Sequence, residues 1–291
     1  MLDLKYISAR GSVLPLTGND NFYLTNIDGQ TAAAAALSTG TVGGMDGDTV
    51  NNAQANPRTI IFDLYINPEK DVETVKREIL RYIKIKQRGA LVWSQNSRDI
   101  TISGYVESID MPRWTNAVKM QITLHCDQPF WEDVDYIVQR ISEAIDLHYF
   151  TDRTNDMLYF PAEGIPFGEY DTIRTKTFNN TGDVAVGLEI AIHAVDTVTN
   201  PIIYDGDGNY FGIGYGTESK RVVMDSGDVI KITTGRGNKT VTLNGVNIID
   251  KVKPNSKWLQ LEPETNQFTI ASDDKSINNM YFNLTYKRRY I

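Results

Sequence analysis

Between residues 118 and 126 the chain alternates without interruption. Val118, Met120, Ile122, Leu124 and Cys126 are apolar, and Lys119, Gln121, Thr123 and His125 are polar. Strict period two sends successive side chains to opposite faces of an extended backbone, so this stretch predicts a half-buried strand. The same period begins at Thr59, where Ile60, Phe62, Leu64 and Ile66 alternate with Ile61, Asp63, Tyr65 and Asn67. Asn67-Pro68 then predicts a helix start, since Asn accepts from free N–H groups and Pro fits the first turn. Val72, Val75, Ile79, Tyr82 and Ile83 keep helical spacing, and Gly89 is expected to stop the element. Short strands follow at 90–93 and along Ile100, Ile102 and Val106. The order strand, helix, three strands predicts a compact α+β unit.

The flanking regions carry weaker patterns. NFYLTNIDG (21–29) reads as a strand ending at Asp28-Gly29. The alanines at 32–36 favour helix by propensity but offer little apolar stripe to pack. Residues 38–58, STGTVGGMDGDTVNNAQANPR, read as one long loop and a candidate for contact with another chain. Downstream, Asp133 is expected to cap a second helix with Val134, Ile137, Val138, Ile141 and Ile145 on one stripe. Residues 148–172 read as a connector. From about residue 175, period two and turn signals alternate, with Asn244-Gly245 between VTL and VNI the strongest hairpin signal. Many short strands at that spacing predict a β-sandwich. The fold class is therefore mainly β, with an α+β domain over 1–147, a linker over 148–172 and a sandwich over 173–291.

Composition narrows the function classes. A formal net charge of -8 argues against a nucleic-acid-binding surface, which needs clustered Lys and Arg, and the KRR at 287–289 is too short to reverse this. A single cysteine excludes an internal disulfide framework and suits a reducing compartment. The opening MLDLKYISAR has no basic region followed by an apolar core, so no signal peptide is expected. No apolar run approaches the ~20 residues that span a bilayer, so no membrane insertion is expected.

Candidate chemistry is sparse. His125 and Cys126 leave a strand on opposite faces and cannot converge on one ion, so Cys126 is expected to be a buried, inert thiol. DGDGNY (205–210) begins like a calcium loop, but Tyr210 and Gly216 stand where such a loop needs Gly and Glu, so a hairpin turn is expected. GIGYG (212–216) and GRGNKT (235–240) lie among strands rather than before a helix, and read as turns. His125, His148 and His193 sit in unrelated contexts, and no GxSxG occurs. Glu189 and His193 share a strand face but stand roughly 13 Å apart along it. Trp258, in the alternating run KWLQL, is expected in the core. Catalytic and metal-binding residues are not identified, no cofactor is implied, and an enzyme is not expected.

Three stretches together resemble the distal tail (Dit) proteins of long-tailed bacteriophages. They are MDGDTVNNAQANPRTIIFDLYINPEKDVETVKREIL (45–80), the strand ending in CDQPFWED, and a C-terminal series. That series runs from FNNTGDVAVGLEIAI and TNPIIYD to SGDVIKITTGRGNKTVTLNG, SKWLQLEP and NQFTI. The segments 132–147 and 31–37 depart from the family's pattern. The resemblance implies an N-terminal ring-forming domain with one main helix and a C-terminal galectin-like β-sandwich. Its implied role is a structural, hexameric ring at the distal end of the virion tail, assembled in the host cytoplasm. The implied neighbours are further copies of itself, the tail tube protein, the tail-tip hub protein and receptor-binding or peripheral baseplate proteins. DNA would pass through the lumen without specific binding. Within such a ring, Asp46, Asn51, Asn52 and Gln54 are expected to contact the neighbouring subunit. The rival readings are a carbohydrate-binding module contacting host cell-wall sugars, a wall hydrolase, and another tube or baseplate subunit.

Overall fold

The computed structural model describes residues 3–44, 46–95, 98–111, 118–140, 144–145, 169–170, 175–273 and 279–291. It divides into two compact units, Met1–Asp135 with Arg289–Ile291, and Tyr136–Arg288.

The first unit is built on β1 (Asp3–Ile7), β2 (Val13–Pro15), β3 (Phe22–Asp28), β4 (Ala35–Thr41), β5 (Asp48–Ala55) and β6 (Arg58–Ile66). Helix α1 (Val72–Tyr82) follows, then β7 (Arg88–Gln95), β8 (Arg98–Asp110), β9 (Lys119–Cys126) and β10 (Trp131–Asp133). One antiparallel sheet runs β2-β1-β7-β8-β9-β6-β3, and β10 bridges β8 and the closing strand Arg289–Tyr290. The alternating stretches at 60–66 and 118–126 form its centre, with Ile60 opposite Leu124, Phe62 opposite Ile122 and Leu64 opposite Met120. All six are buried, and α1 adds Val75 and Ile79 to the same core.

Two details of this unit differ from expectation. Asn67 does not cap the helix; its Oδ1 accepts from Glu69 N at 3.1 Å and holds a turn. The cap is Asp71, whose Oδ2 accepts from Thr74 N at 2.9 Å, so the helix starts one turn later. Nor does Gly89 end it: Ile83 is the C-cap and Gly89 lies inside β7. A Cβ at Gly89 would come within 2.1 Å of the buried Tyr6 hydroxyl, so packing selects glycine there.

The alanines, which favour helix by propensity alone, and the stretch expected as a loop over 38–58 instead form a hairpin. β4 pairs β5 from Ala35↔Ala55 to Thr41↔Asp48, with a bulge between Ser38 and Thr39. The ladder continues to Ala34, whose carbonyl accepts from Asn56 N at 2.8 Å. Isolated helix needs an apolar stripe to pack, which the alanines lack. Cross-strand pairing wins because Gly44 and Gly47, both at positive φ, supply the reversal at the tip.

The second unit is a sandwich. Its larger sheet orders Ile137–Arg140, Met280–Tyr286, Glu189–Ala194, Val229–Gly235, Asn238–Leu243 and Val246–Asn247. Its smaller sheet orders Thr175–Asn180, Glu264–Ser272, Pro201–Asp205 and Tyr210–Gly212. Ile190, Ile192, Ile232 and Phe282 from the first meet Phe178, Ile203, Phe211 and Phe268 from the second in one core. Alternate residues on each inner face fill such a core. The Asn244-Gly245 turn forms as expected, with φ of 49° and 84°.

The helix expected over 132–147 is absent from the described part of that segment. Trp131–Asp133, Ile137–Arg140 and Ala144–Ile145 are strands. Val134, Ile137, Val138 and Ile141 fit helical spacing, but β-branched residues suit strands better. Ile137–Arg140 takes the free edge of Met280–Tyr286. Asp133 is buried and accepts from the Tyr290 hydroxyl at 3.0 Å. Of the expected connector over 148–172, Glu169–Tyr170 pairs with Ala144–Ile145, and the rest lies outside the described residues.

Candidate functional site

Cross-strand partners share a face of a hairpin, and the register sorts the arm β4–β5 into two. Leu37 with Ala53, and Thr39 with Val50, lie on one face; Ala36 with Gln54, and Ser38 with Asn52, lie on the other. The first face therefore carries the exposed apolar groups Leu37, Ala53 and Val50 beside the Thr39 hydroxyl, and the second is amide- and hydroxyl-bearing. Every residue of β5 is exposed, and Leu37 and Val50 are 59% and 54% exposed. A two-stranded hairpin is marginal alone in water, and apolar side chains at this exposure favour a covering surface.

The four residues expected at a subunit contact all fall on this arm. Asn52 and Gln54 point together from its polar face. Asn51 occupies the bulge, close enough to Gly40 that a Cβ there would come within 3.1 Å of its amide nitrogen. Asp46 stands at the tip, apart from the other three. The apolar face escaped the sequence reading because Leu37, Val42 and Val50 are isolated among small and polar residues. Their signal was that nothing in a plain surface loop requires them.

The base of the arm packs closely against β6. A Cβ at Gly29 would overlap the Thr59 carbonyl at 2.0 Å, so only glycine lets the chain pass this close to β6. Arg58, 4% exposed, follows the arm directly. Its Nη1 donates to the Gln30 carbonyl at 3.2 Å, while Nε and Nη2 are buried without a partner. Burial pulls its pKa below the usual guanidinium range.

Arg58 stands across the ladder from Cys126, which is fully buried. Burial pushes that thiol up to about 12, so it stays protonated at neutral pH and is a poor nucleophile. His125 is exposed on the opposite face, as the alternation requires.

Elsewhere the candidate motifs serve structure. Asp205 Oδ1 accepts from Asp207 N at 3.0 Å and from Asn209 N at 2.7 Å, which commits the carboxylate to a hairpin turn. A groove of about 360 Å³ beside it is lined by Asn209, Lys257, Trp258, Asn266 and Phe268. Trp258 is half-buried there, its ring 4.8 Å from that of Phe211. His193 stacks on Tyr281 at 4.6 Å, and Arg140 lies 3.8 Å over the same ring. Burial, and then the positive charges of Arg140 and Lys231, hold the His193 pKa below its ordinary value. His148 lies outside the described residues. Among the described residues, no three His, Cys, Asp or Glu are grouped to hold a metal ion.

Two family models match the chain. The phage tail protein RIFT-related domain matches residues 9–126, and the siphovirus-type tail component, C-terminal domain, matches residues 181–290. The chain belongs to the phage distal tail protein family. The crystal structure of the Dit protein of phage SPP1, described as a paradigm of the hub adsorption apparatus in phages infecting Gram-positive hosts, has the same fold. It aligns at a TM-score of 0.67 and 14% identity over 100% of both chains. A chain of the phage p2 baseplate in its calcium-activated conformation aligns at a TM-score of 0.46 and 11% identity, covering 99% of this chain and 98% of that one. No curated protein matches the sequence. The distal tail family is one of structural tail and baseplate proteins, and the mainly β architecture of this member agrees with it.

Proposed function

We propose that this distal tail protein forms a closed ring of six copies at the end of the tail tube, joining the tube to the tail-tip hub. The observation that carries this reading is the arm β4–β5, which projects an uncovered apolar face from an otherwise well-packed sheet. An apolar patch that its own chain leaves open is the mark of an interaction surface. The domain expected over residues 1–147 provides the ring, with Asp46, Asn51, Asn52 and Gln54 among its contacts. The sandwich expected over 173–291 anchors receptor-binding or other baseplate proteins. The net charge of -8 suits a lumen that DNA crosses without being held, since an acidic surface repels phosphate. Assembly takes place in the bacterial cytoplasm and the ring resides at the distal end of the virion tail.

Light scattering and negative-stain images of the purified chain test the reading. A closed ring with a central hole is expected. A chain that stays monomeric at high concentration, and also when mixed with tail tube and hub proteins, overturns it.

A further inference from the structure

The first unit carries a second uncovered apolar feature, well separated from the arm. A groove of about 390 Å³ lies between the end of α1 and the ends of β8 and β9. Leu80, Ile83, Ile85, Ile109 and Met120 form its floor and walls, and Lys76 and Lys84 stand at its rim. Ile85 is 55% exposed. The half-buried Met111 also lines the groove, and methionine side chains adapt their shape to what they pack against, which suits a receiving surface.

The charges are complementary. Between residues 31 and 57 the arm has only two charged side chains, Asp46 and Asp48, both at its tip. At the groove, Lys76 reaches only the exposed Glu73, at 3.5 Å, and Lys84 makes no ion pair among the described residues. The arm therefore offers an apolar face ending in carboxylates, and the groove offers an apolar floor edged by ammonium groups.

The arm of the same chain is badly placed to fill this groove. It springs from the Arg58 end of β6, whereas Met120 pairs with Leu64 near the other end. Those rows are roughly 20 Å apart along the strand. A contact between two different surfaces at opposite ends of one unit is head-to-tail, and a head-to-tail contact closes into a ring when its rotation allows.

We infer that the groove between α1 and the β8–β9 ends receives the arm β4–β5 of a second copy of this chain. Leu37 and Val50 enter the apolar floor, and Asp46 and Asp48 pair with Lys76 and Lys84. This rests on the ring reading above and specifies the surface through which the ring closes.

Single-cysteine exchange tests it on the full-length chain. Val50→Cys and Ile85→Cys both replace exposed side chains, and the native Cys126 is buried and unreactive. The two variants are mixed at concentrations where the unaltered chain assembles, or with tube and hub proteins, and treated with a short bismaleimide. A cross-linked pair is expected from the mixture, with at least tenfold less from either variant alone or from Val50→Cys mixed with Thr217→Cys. Lys76→Glu with Lys84→Glu is expected to abolish the product, and Asp46→Lys with Asp48→Lys in the other partner to restore it. Rings that form without the Val50–Ile85 product, or with equal product at Thr217, overturn this inference and leave the ring reading standing. A chain that never assembles and never cross-links overturns both.

Discussion

Lys119 Nζ lies 2.7 Å from Asp63 Oδ2 on the face of the β6–β9 ladder that points away from the core. Gln121 Nε2 donates to the other carboxylate oxygen at 3.0 Å. Asp63 is almost fully buried, although it occupies a polar position in an alternating strand. Burial by itself would raise its pKa, but the hydrogen bonds from Lys119, Gln121 and Asn26 outweigh it and hold the carboxyl below its ordinary value. A carboxylate with a depressed folded-state pKa contributes stability that is present above its unfolded value, near pH 4. That contribution is lost as pH falls through the folded value. Asp63→Ala is expected to cost about 1–3 kcal/mol at pH 7, because it strands the Gln121 donor. Urea denaturation at pH 7 and pH 3 checks this, and the gap between variant and parent should narrow at the lower pH.

Arg58 makes the opposite case. A buried guanidinium with two unpartnered nitrogens destabilises its surroundings, and apolar replacement of buried charge is often neutral or stabilising by about 1–4 kcal/mol. Arg58→Met is therefore expected to leave the thermal midpoint unchanged or raise it. A fall of several degrees would show that the carbonyl of Gln30 holds the guanidinium more firmly than its geometry suggests.

The glycines separate two physical causes. Gly245 needs its positive φ but has open space around a Cβ, so Gly245→Ala should cost only the backbone strain, about 1–2 kcal/mol. Gly89 has ordinary backbone, but its Cβ would overlap the Tyr6 ring. Gly89→Ala should cost more, at or beyond the 1–3 kcal/mol typical of overpacking. Chemical denaturation of the pair ranks them directly.

Cys126 offers a chemical check on the first core. With its thiol pushed to about 12 and fully buried, it should resist a thiol reagent at pH 8 in the native protein. It should react within seconds to minutes once urea unfolds the chain. Rapid native labelling would contradict the packing of β6 against β9.

Long strands with one buried face were legible in the sequence, whereas the short β1, with Leu4 and Tyr6 buried, was not. The period-two runs at 60–66 and 118–126 needed no tertiary knowledge, and Asn244-Gly245 fixed its own turn. The edge strand at 137–140 was not legible, because Val134, Ile137, Val138 and Ile141 satisfy a helical stripe as well as a β-branched strand; only the open edge at Met280–Tyr286 decides between them. The arm was illegible for another reason. Both of its faces meet solvent within one chain, so no burial pattern marks it. The expected contact residues fell on it because a long, uncharged stretch read as a loop suggested contact with another chain. The apolar half, Leu37 and Val50, was too sparse to read. The carboxylate of Asp63 shows the same limit: its partners lie 56 and 58 residues away and meet it only through the ladder.

The arm leads to the most direct test. Leu37→Ser with Val50→Ser removes exposed apolar groups and should leave stability within about 0.5 kcal/mol of the parent. The decisive measurement is the light-scattering mass of parent and double variant under the conditions that assemble the parent. A ring held by the arm gives a six-fold multiple of the chain mass for the parent and a monomer of unchanged stability for the variant. Equal assembly by both would contradict the claim that this arm holds the ring together.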